Sequence, residues 1–554
     1  MTNLGRDDLI EWKATKPNNF YLAVPNLATE LEVRMGSRFN DSLATKLSSF
    51  GEVVAREIEP AVEAAERNRE FPKLRSFDEF GRRVERVEFH PAHDDAARAA
   101  WASGMLATKL DYGGAYDLAG LFFLLSHVGE GGQACPIVCT IGLRRALEHR
   151  GSESLKAQYL AGLMETDSSA ALRGSQFLTE LQGGSDVGAN ATLASPDPTI
   201  VGAWRIIGEK WFCSVADADV FALTARPDSA PSGTKGLACF LVPRTTDGIT
   251  PNGFRIRRLK DKLGTRGLAS GEIDFDGALA YPIGELDEGF AIAVSDLLNT
   301  SRWLNALGST GIMSRAYIEA SSFAHHRRAF GSPIETLGAI REQLATMKIE
   351  VAASLSSTIA LTELVAKIDE GIATNADRKF HRFLVNANKY VTSISATAVV
   401  HQAIEILGGN GTIEDFSPLP RLYRDSIVFE SWEGTHNVLC DQVRRDCARL
   451  GLMDVVVGWI QQELKQLPES LSLDVNLVRG ALEKLTPKLK RSCDDSRISD
   501  FRRQLMIVVR IIQATCLLRS VGAPISSAFI RLNLVRDSIS NDPGWLSFVD
   551  NVLD

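Results

Sequence analysis

Long apolar runs are missing from this chain. No uninterrupted stretch approaches 18 residues, and one of the longest, Leu118 to Val128, is broken by His127, so no membrane-spanning helix is expected. Paired CxxC motifs are missing as well. The eight cysteines, at 135, 139, 213, 239, 440, 447, 493 and 516, are scattered, and none stands with histidines at zinc-ligand spacing. That argues against a disulfide framework and against a structural metal. There is no excess of positive charge: 61 Lys and Arg against 69 Asp and Glu leave a formal charge of −8. This counts against general nucleic-acid binding and leaves only a local patch to consider. Internal repeats and low-complexity tracts are lacking too. The opening Met1-Thr2-Asn3-Leu4 lacks the basic-then-apolar order of a secretory signal, and Asn551-Val552-Leu553-Asp554 carries no lipidation or peroxisomal address. The expectation is a soluble cytoplasmic protein with reduced thiols.

What the chain does hold is ordinary globular material, 45% apolar and 23% charged over 554 residues, enough for about two to four domains. Its texture changes three times. Residues 1–172 read as a helical domain after a loose, extended start. Phe50 to Asn68 and Asp94 to Leu110 are charged, alanine-rich and nearly free of breakers, and Pro136 suits a helix's first turn. Residues 173–289 carry glycine or proline every few positions between short β-type runs. Trp204–Gly208, Val220–Thr224, Cys239–Pro243 and Glu272–Phe275 are the clearest, and they predict a compact β-sandwich or barrel. Residues 290–450 contain two breaker-free stretches, 339–370 and 372–407. These predict an antiparallel helical hairpin turning at Gly371, the kernel of a bundle closed by Glu433 to Leu450. Residues 451–554 predict a further helical region divided by Pro468, Pro487, Pro524 and Pro543, with 13 basic against 12 acidic residues. Arg491, Arg497, Arg502, Arg503 and Arg510 cluster there, and solvated faces laced with ion pairs outweigh a nucleic-acid surface.

Five stretches carry chemistry. In Trp432-Glu433-Gly434-Thr435-His436-Asn437 a carboxylate stands beside an aromatic wall and a glycine that permits close backbone approach, which suits a general base. Upstream, Leu407-Gly408-Gly409-Asn410-Gly411 places three glycines in four positions. Phe177-Leu178-Thr179-Glu180-Leu181-Gln182-Gly183-Gly184-Ser185-Asp186 exposes backbone amides and hydroxyls that can hold phosphate or a heterocycle edge, though a tight hairpin loop fits equally well. It is not a GxGxxG opening a helix, so no Rossmann reading applies. Lys210-Trp211-Phe212-Cys213-Ser214 reads first as β-core aromatics, and Arg327-Arg328-Ala329-Phe330-Gly331-Ser332-Pro333 as a phosphate partner or a surface charge.

Taken in this order, and together with Lys262-Leu263-Gly264-Thr265-Arg266-Gly267 and Gly284-Glu285-Leu286-Asp287-Glu288-Gly289-Phe290, these stretches resemble the acyl-CoA dehydrogenase family over roughly residues 115–445. The form Thr179-Glu180-Leu181-Gln182-Gly183-Gly184-Ser185-Asp186, the Lys210-Trp211-Phe212 and Trp432-Glu433-Gly434 triplets and the extra C-terminal hundred residues are similar to its AidB-like branch. The resemblance implies an α+β multidomain fold: an N-terminal helical domain, a central β domain and a C-terminal four-helix bundle. It also implies a homotetramer binding FAD between β domain and bundle, with the adenine end reaching a neighbouring subunit. Thr179 then meets the flavin pyrimidine edge, Ser185 the pyrophosphate, and Ser214 replaces the usual threonine at flavin N5. Phe212 stands where a tryptophan often stacks, and Phe177, Gly184 and Cys213 belong to the same contact. Arg327 and Phe330 reach the partner's FAD, while Gly409, Thr435 and Asn437 complete the cofactor lining. Asn299, Arg302, Trp432 and Ser185 are matched to acyl-CoA. Ser301 occupies the place of an alternative base, which leaves Glu433 as catalytic residue.

The implied chemistry is removal of a thioester α-proton by Glu433 with hydride transfer from the β-carbon to flavin N5, giving a trans-2-enoyl thioester. Burial beside Trp432 and the flavin ring is expected to raise the Glu433 pKa in the complex. Two positions depart from the family pattern: Gly338 and Glu405 stand where glutamine is usual. Three rivals remain: a flavoprotein that binds DNA in alkylation stress, a protein that sequesters acyl-CoA with little turnover, and a flavin oxidase. Acyl chain length, branching and the electron acceptor depend on pocket depth and docking surfaces, which single-chain patterns do not encode.

Overall fold

The computed structural model describes residues 4–494, 498–535 and 545–553. The chain forms two compact units, one of Met1–Arg56, Lys109–Gly129 and Asn305–Asp554, the other of Glu57–Thr108 and Glu130–Leu304.

The second unit holds the main sheet. A hairpin of β1 (Lys73–Phe77) and β2 (Arg83–Glu88) precedes it. This hairpin is not among the expected strands, because Lys-Leu-Arg-Ser-Phe and Arg-Val-Glu-Arg-Val-Glu are mostly exposed and lack an apolar stripe. Seven strands follow: β3 (Gly174–Phe177), β4 (Leu193–Pro196), β5 (Trp204–Ser214), β6 (Val220–Pro227), β7 (Ala238–Pro243), β8 (Phe254–Leu259) and β9 (Ser270–Pro282). β6 pairs with β4 and β7, β4 with β5, β5 with β9, and β9 with β7, so the pairings close into a ring, with β3 added on β6 and β8 on β9. Of the two architectures expected, this is the barrel, and closure removes most exposed strand edges. One face is covered by the helices Ala134–Arg150 and Glu153–Leu163, whose Leu143, Leu147 and Tyr159 pack on Val220, Ala222 and Leu241.

The first unit is helical. Gly338–Asp369 and Asn375–Leu407 form the expected hairpin, with Gly371 at φ 77, a left-handed turn position that glycine adopts without steric cost. A reciprocal Thr374–Asp377 capping box opens the second helix. Leu344, Met347 and Val351 pack with Val399, Val400 and Ala403, and with Ile312, Met313 and Ala316 of the helix Asn299–His326. Gly338–Asp369 and Asn375–Thr412 are long and apolar enough to cross a membrane by length and composition, so stretches of that kind do exist here. Their apolar windows are 89% and 56% buried inside the protein, as in core helices of a bundle. Serines and threonines interrupt the apolar runs in the sequence. Thr358 and Thr362 donate back to the carbonyls of Ser354 (2.7 Å) and Thr358 (3.0 Å), so their hydroxyls sit satisfied in the core.

Three further expectations change. The start is not loose: Leu4–Ala14 and Pro25–Met35 are helices, the first anchored by Trp12, which stacks on Phe416 at 5.2 Å. The closing helix begins at His436 rather than Glu433, after a separate helix Leu419–Ser431. Pro487 lies inside the helix Ser472–Asp494, where buried Leu482, Leu485 and Leu489 hold the helix across it, whereas Pro468 and Pro524 stand at helix starts. Pro543 lies outside the described residues.

Candidate functional site

In the β-containing unit the Thr179 loop rests on a buried ion pair whose two members no sequence motif joins. Lys210 Nζ donates to Glu180 Oε1 at 2.8 Å, with both side chains almost fully buried. Glu180 also accepts from Thr192 Oγ1 (2.6 Å), Gln182 Nε2 (2.8 Å) and the amides of Ala191 (2.7 Å) and Thr192 (3.2 Å). Burial alone pushes this carboxyl up, but the Lys210 charge and the converging donors outweigh it and hold it at about 2. Beside it, the β5–β9 ladder shifts register between Lys210 and Cys213. This frees the Trp211 amide to donate to the Thr179 carbonyl at 2.9 Å instead of to β9. The same bulge turns Phe212 outward, 54% exposed, and Lys260 Nζ lies 3.5 Å from the Trp211 ring and 4.7 Å from the Phe212 ring.

Around this frame Thr179 is half-buried, and Gly184 and Ser185 are exposed. Ser214, at the end of β5, has its hydroxyl 3.4 Å from that of Ser270. Phe177 and Cys213 point into the core. The Phe177 ring lies 4.8 Å from that of Phe221, and burial pushes the Cys213 thiol far above its ordinary range. Both are fully buried. Asn299 is half-buried, and buried Arg302 has Nη1 3.5 Å from Asn299 Oδ1. Ser301 is buried and accepts from Gln176 Nε2 at 2.9 Å. Val215, next after Ser214, is a β-branched residue at φ 55, a rare conformation concentrated at functional sites. It lines a small cavity with His93, whose Nδ1 has no hydrogen-bond partner and whose Nε2 lies 3.3 Å from the Gly132 carbonyl. Nothing in the sequence pattern singles out either residue.

In the helical unit, Glu433 occupies the turn between Leu419–Ser431 and His436–Leu450, half-buried and at φ 55, with Gly434 at φ 105. A non-glycine residue in the left-handed region is strained, and Gly434 supplies a conformation that side chains resist. Trp432 stacks on Phe429 at 5.0 Å. Thr435 is the N-cap of the following helix yet makes no side-chain capping bond. Asn437 accepts from Arg502 Nη1 at 2.9 Å, and Arg502 Nε donates to the Tyr390 hydroxyl at 3.1 Å. Arg327, half-buried, follows the helix Asn299–His326, and Phe330, at φ 52, is 96% exposed at the tip of the hairpin Arg328–Ala329/Ser332–Pro333. Gly409 is exposed in the turn Gly408–Thr412. Glu405, the acid in an unusual place, accepts from Gln343 Nε2 at 2.9 Å.

The arginine cluster near the C-terminus is largely committed internally. Arg502 holds Asn437, Arg503 pairs with Asp500, and Arg510 pairs with Glu350 at 2.8 Å, while Arg497 lies outside the described residues. All eight cysteines are buried free thiols. Among the described residues no group of three or more His, Cys, Asp or Glu could hold a metal ion.

Comparison with known proteins agrees with this architecture. Residues 16–168 match the adaptive response protein AidB N-terminal domain, 175–278 the acyl-CoA dehydrogenase middle domain and 287–448 the acyl-CoA dehydrogenase C-terminal domain. The chain is similar to AidB of Escherichia coli (strain K12), 33% identical over 385 residues that make up 68% of this chain and 69% of AidB. It is also similar to acyl-CoA dehydrogenase family member 11 of Caenorhabditis elegans, 30% identical over 86% of this chain and 80% of that one. The crystal structure of Caenorhabditis elegans ACDH-11 in complex with C11-CoA superimposes with a TM-score of 0.85 at 27% identity, covering 95% of this chain and 92% of that one. An acyl-CoA dehydrogenase from Bacillus anthracis complexed with FAD shares the fold, with a TM-score of 0.67 at 20% identity over 93% and 86% of the two chains. The order and texture of the domains, the strained acidic turn and these matches together make the chain a member of the acyl-CoA dehydrogenase family, in its AidB-like branch.

Proposed function

We propose that the protein is an FAD-dependent acyl-CoA dehydrogenase in which Glu433 takes the α-proton of an acyl-CoA thioester, leading to a trans-2-enoyl product. The observation that carries this reading is the conformation of Glu433, a carboxylate held at φ 55 between a stacked tryptophan and Gly434. Strain of that kind persists only where the surroundings over-determine it, and active sites are where it concentrates. The donor set of the β-containing unit fits a flavin: hydroxyls at Thr179, Ser185 and Ser214, an exposed aromatic at Phe212 and an amide-rich loop stiffened by Glu180–Lys210. When bound, FAD supplies the hydride acceptor. Within the chain, Glu433 accepts the proton, Trp432 shields the carboxylate from water, and Thr435, with no capping duty, is available to a ligand. The complex of the related ACDH-11 with C11-CoA supports an acyl-CoA substrate class.

Phe330 at 96% exposure supports a neighbouring subunit covering the hairpin tip, as in the homotetramer that the resemblance implies. Eight buried free thiols support a reducing, cytoplasmic setting. The C-terminal arginines give a duplex-binding role little support: Arg503 and Arg510 are paired with Asp500 and Glu350, and Arg502 is tied to Asn437 and Tyr390. The deciding experiment is anaerobic titration of the purified yellow protein with acyl-CoAs from short branched to long straight. Bleaching of the flavin by at least one is expected, and its loss in Glu433→Gln. No bleaching by any of them overturns the proposal.

A further inference from the structure

The turn that carries Glu433 is clamped from behind by a lysine that no motif identifies. Lys389 lies in the middle of the helix Asn375–Leu407 and is fully buried. Its Nζ donates to the carbonyl of Glu430 at 2.9 Å and to the carbonyl of Gly434 at 3.0 Å. Those two carbonyls bracket Ser431, Trp432 and Glu433. The Glu430 carbonyl belongs to the end of the helix Leu419–Ser431, where the last i→i−4 bond runs from the Trp432 amide to the Val428 carbonyl. It is therefore one of the acceptors that a helix C-terminus leaves without an intrahelical donor, at the negative end of the helix dipole, where a cation is favoured. The Gly434 carbonyl lies beyond the strained residue, next to φ 105. A second tether acts on the same segment, because the Glu430 carboxylate accepts from Thr397 and lies 2.8 Å from His436 Nε2.

A buried ammonium is expensive unless acceptors replace its water. Here two of them are backbone carbonyls on either side of the proposed base, and the same charge acts on the nearby Glu430 carboxylate, so the shape of the turn and the burial of the ammonium support each other. We infer that Lys389 is a positioning residue for the reaction: its ammonium bridges the Glu430 and Gly434 carbonyls and thereby holds Glu433 in the left-handed conformation from which it reaches the substrate. Lysine suits this work better than arginine, since a compact head with three rotatable donors can serve two carbonyls at the end of one stem. The inference rests on the reading of Glu433 as the base.

The test compares wild type, Lys389→Met, Lys389→Arg and Glu433→Gln as flavin-loaded proteins. It reads α-proton exchange of a saturated acyl-CoA in D2O, acyl-CoA affinity, and amide hydrogen exchange across residues 428–436. Lys389→Met is expected to slow α-proton exchange about 10- to 100-fold while affinity stays within about twofold, because a displacement near 1 Å at the reacting atoms costs rates of that order. Lys389→Arg is expected to recover part of the loss, and amides 431–435 to exchange faster in Lys389→Met. A general loss of packing would instead lower affinity and flavin content together. Unchanged α-proton exchange in Lys389→Met, with exchange abolished in Glu433→Gln, overturns the inference and leaves the function standing. Full exchange in Glu433→Gln overturns the function, and the clamp is then judged by amide exchange alone, with unchanged rates at 431–435 refuting it. If Lys389→Met does not fold, the wild-type amides decide: protection like that of the helix Asn375–Leu407 is expected, and rapid exchange overturns the clamp.

Discussion

Replacing Glu180 by leucine tests whether the Thr179 loop is held from within the barrel unit. The substitution leaves the Lys210 ammonium, fully buried, without the carboxylate 2.8 Å away, removes the acceptor of the Ala191 and Thr192 amides, and leaves Thr192 Oγ1 and Gln182 Nε2 to their longer bonds with the Glu209 (3.2 Å) and Ala189 (3.3 Å) carbonyls. Breaking a buried pair from one side costs about 3–5 kcal/mol, because the surviving charge stays desolvated. The two partners shift with opposite consequences: the Glu180 carboxyl falls from the ordinary 4.5 to about 2 on folding, which favours the folded state, while burial lowers the Lys210 ammonium, which opposes it. The sign follows from the direction. A carboxyl that titrates lower in the folded protein contributes its full stability above pH 4.5 and loses it as the pH falls toward about 2. Urea unfolding of the wild type and Glu180→Leu at neutral pH, with flavin retention on gel filtration, reads both consequences: a large loss of stability and release of the flavin. The double variant Glu180→Leu/Lys210→Met removes both charges and is expected to recover much of the loss. A penalty below about 1 kcal/mol in the single variant, the size of an exposed pair, with flavin retained, would mean that the pair does not hold the loop.

Glu433→Gln is expected to lower flavin reduction by acyl-CoA about 10²–10⁴-fold with FAD content unchanged, measured by stopped-flow absorbance. Glu30 is buried against Ser356 and Ser520, and burial pushes its carboxyl up to about 6. It favours the folded state only while protonated, a contribution lost as pH rises from 4.5 through about 6. Glu30→Gln should therefore raise stability at pH 7.5 by about 2 kcal/mol and change little at pH 5, read by urea unfolding at both pH values. Phe330→Ser, at a fully exposed hairpin tip, should leave the monomer's unfolding transition unchanged and weaken subunit assembly in sedimentation velocity. Duplex DNA binding should show neither high affinity nor a steep salt slope. Tight binding lost in Arg491→Ala, a residue exposed on its helix, would revive the rival role.

Some of this was legible in residues alone. The helical hairpin at Gly371 showed because 339–370 and 372–407 lack breakers, and the β region because glycine and proline punctuate short apolar runs. The acidic turn stood out because tryptophan, glutamate and glycine side by side make sense only where a carboxylate meets a close backbone approach. These are local properties, carried by neighbours in the chain. Other features depend on which distant residues meet. Closure of the barrel came from pairings such as β4 with β6, and the exposed β1–β2 hairpin lacked the alternation that marks a strand. The Glu180–Lys210 pair joins two ordinary charges 30 positions apart, and its strength comes from burial. Phe177 and Cys213 carry the right motif letters but are buried, Phe177 on the wholly buried β3 and Cys213 on β5, where a bulge at Lys210–Cys213 sets which side chains face outward. Asn437 is held by an arginine 65 positions on, and Lys389 reads as one more helical lysine until two backbone carbonyls 41 and 45 residues away close on it. Composition and spacing determined the elements and the reactive turn. Desolvation and long-range hydrogen bonding, which act only after the chain has closed on itself, decided what holds that turn in place.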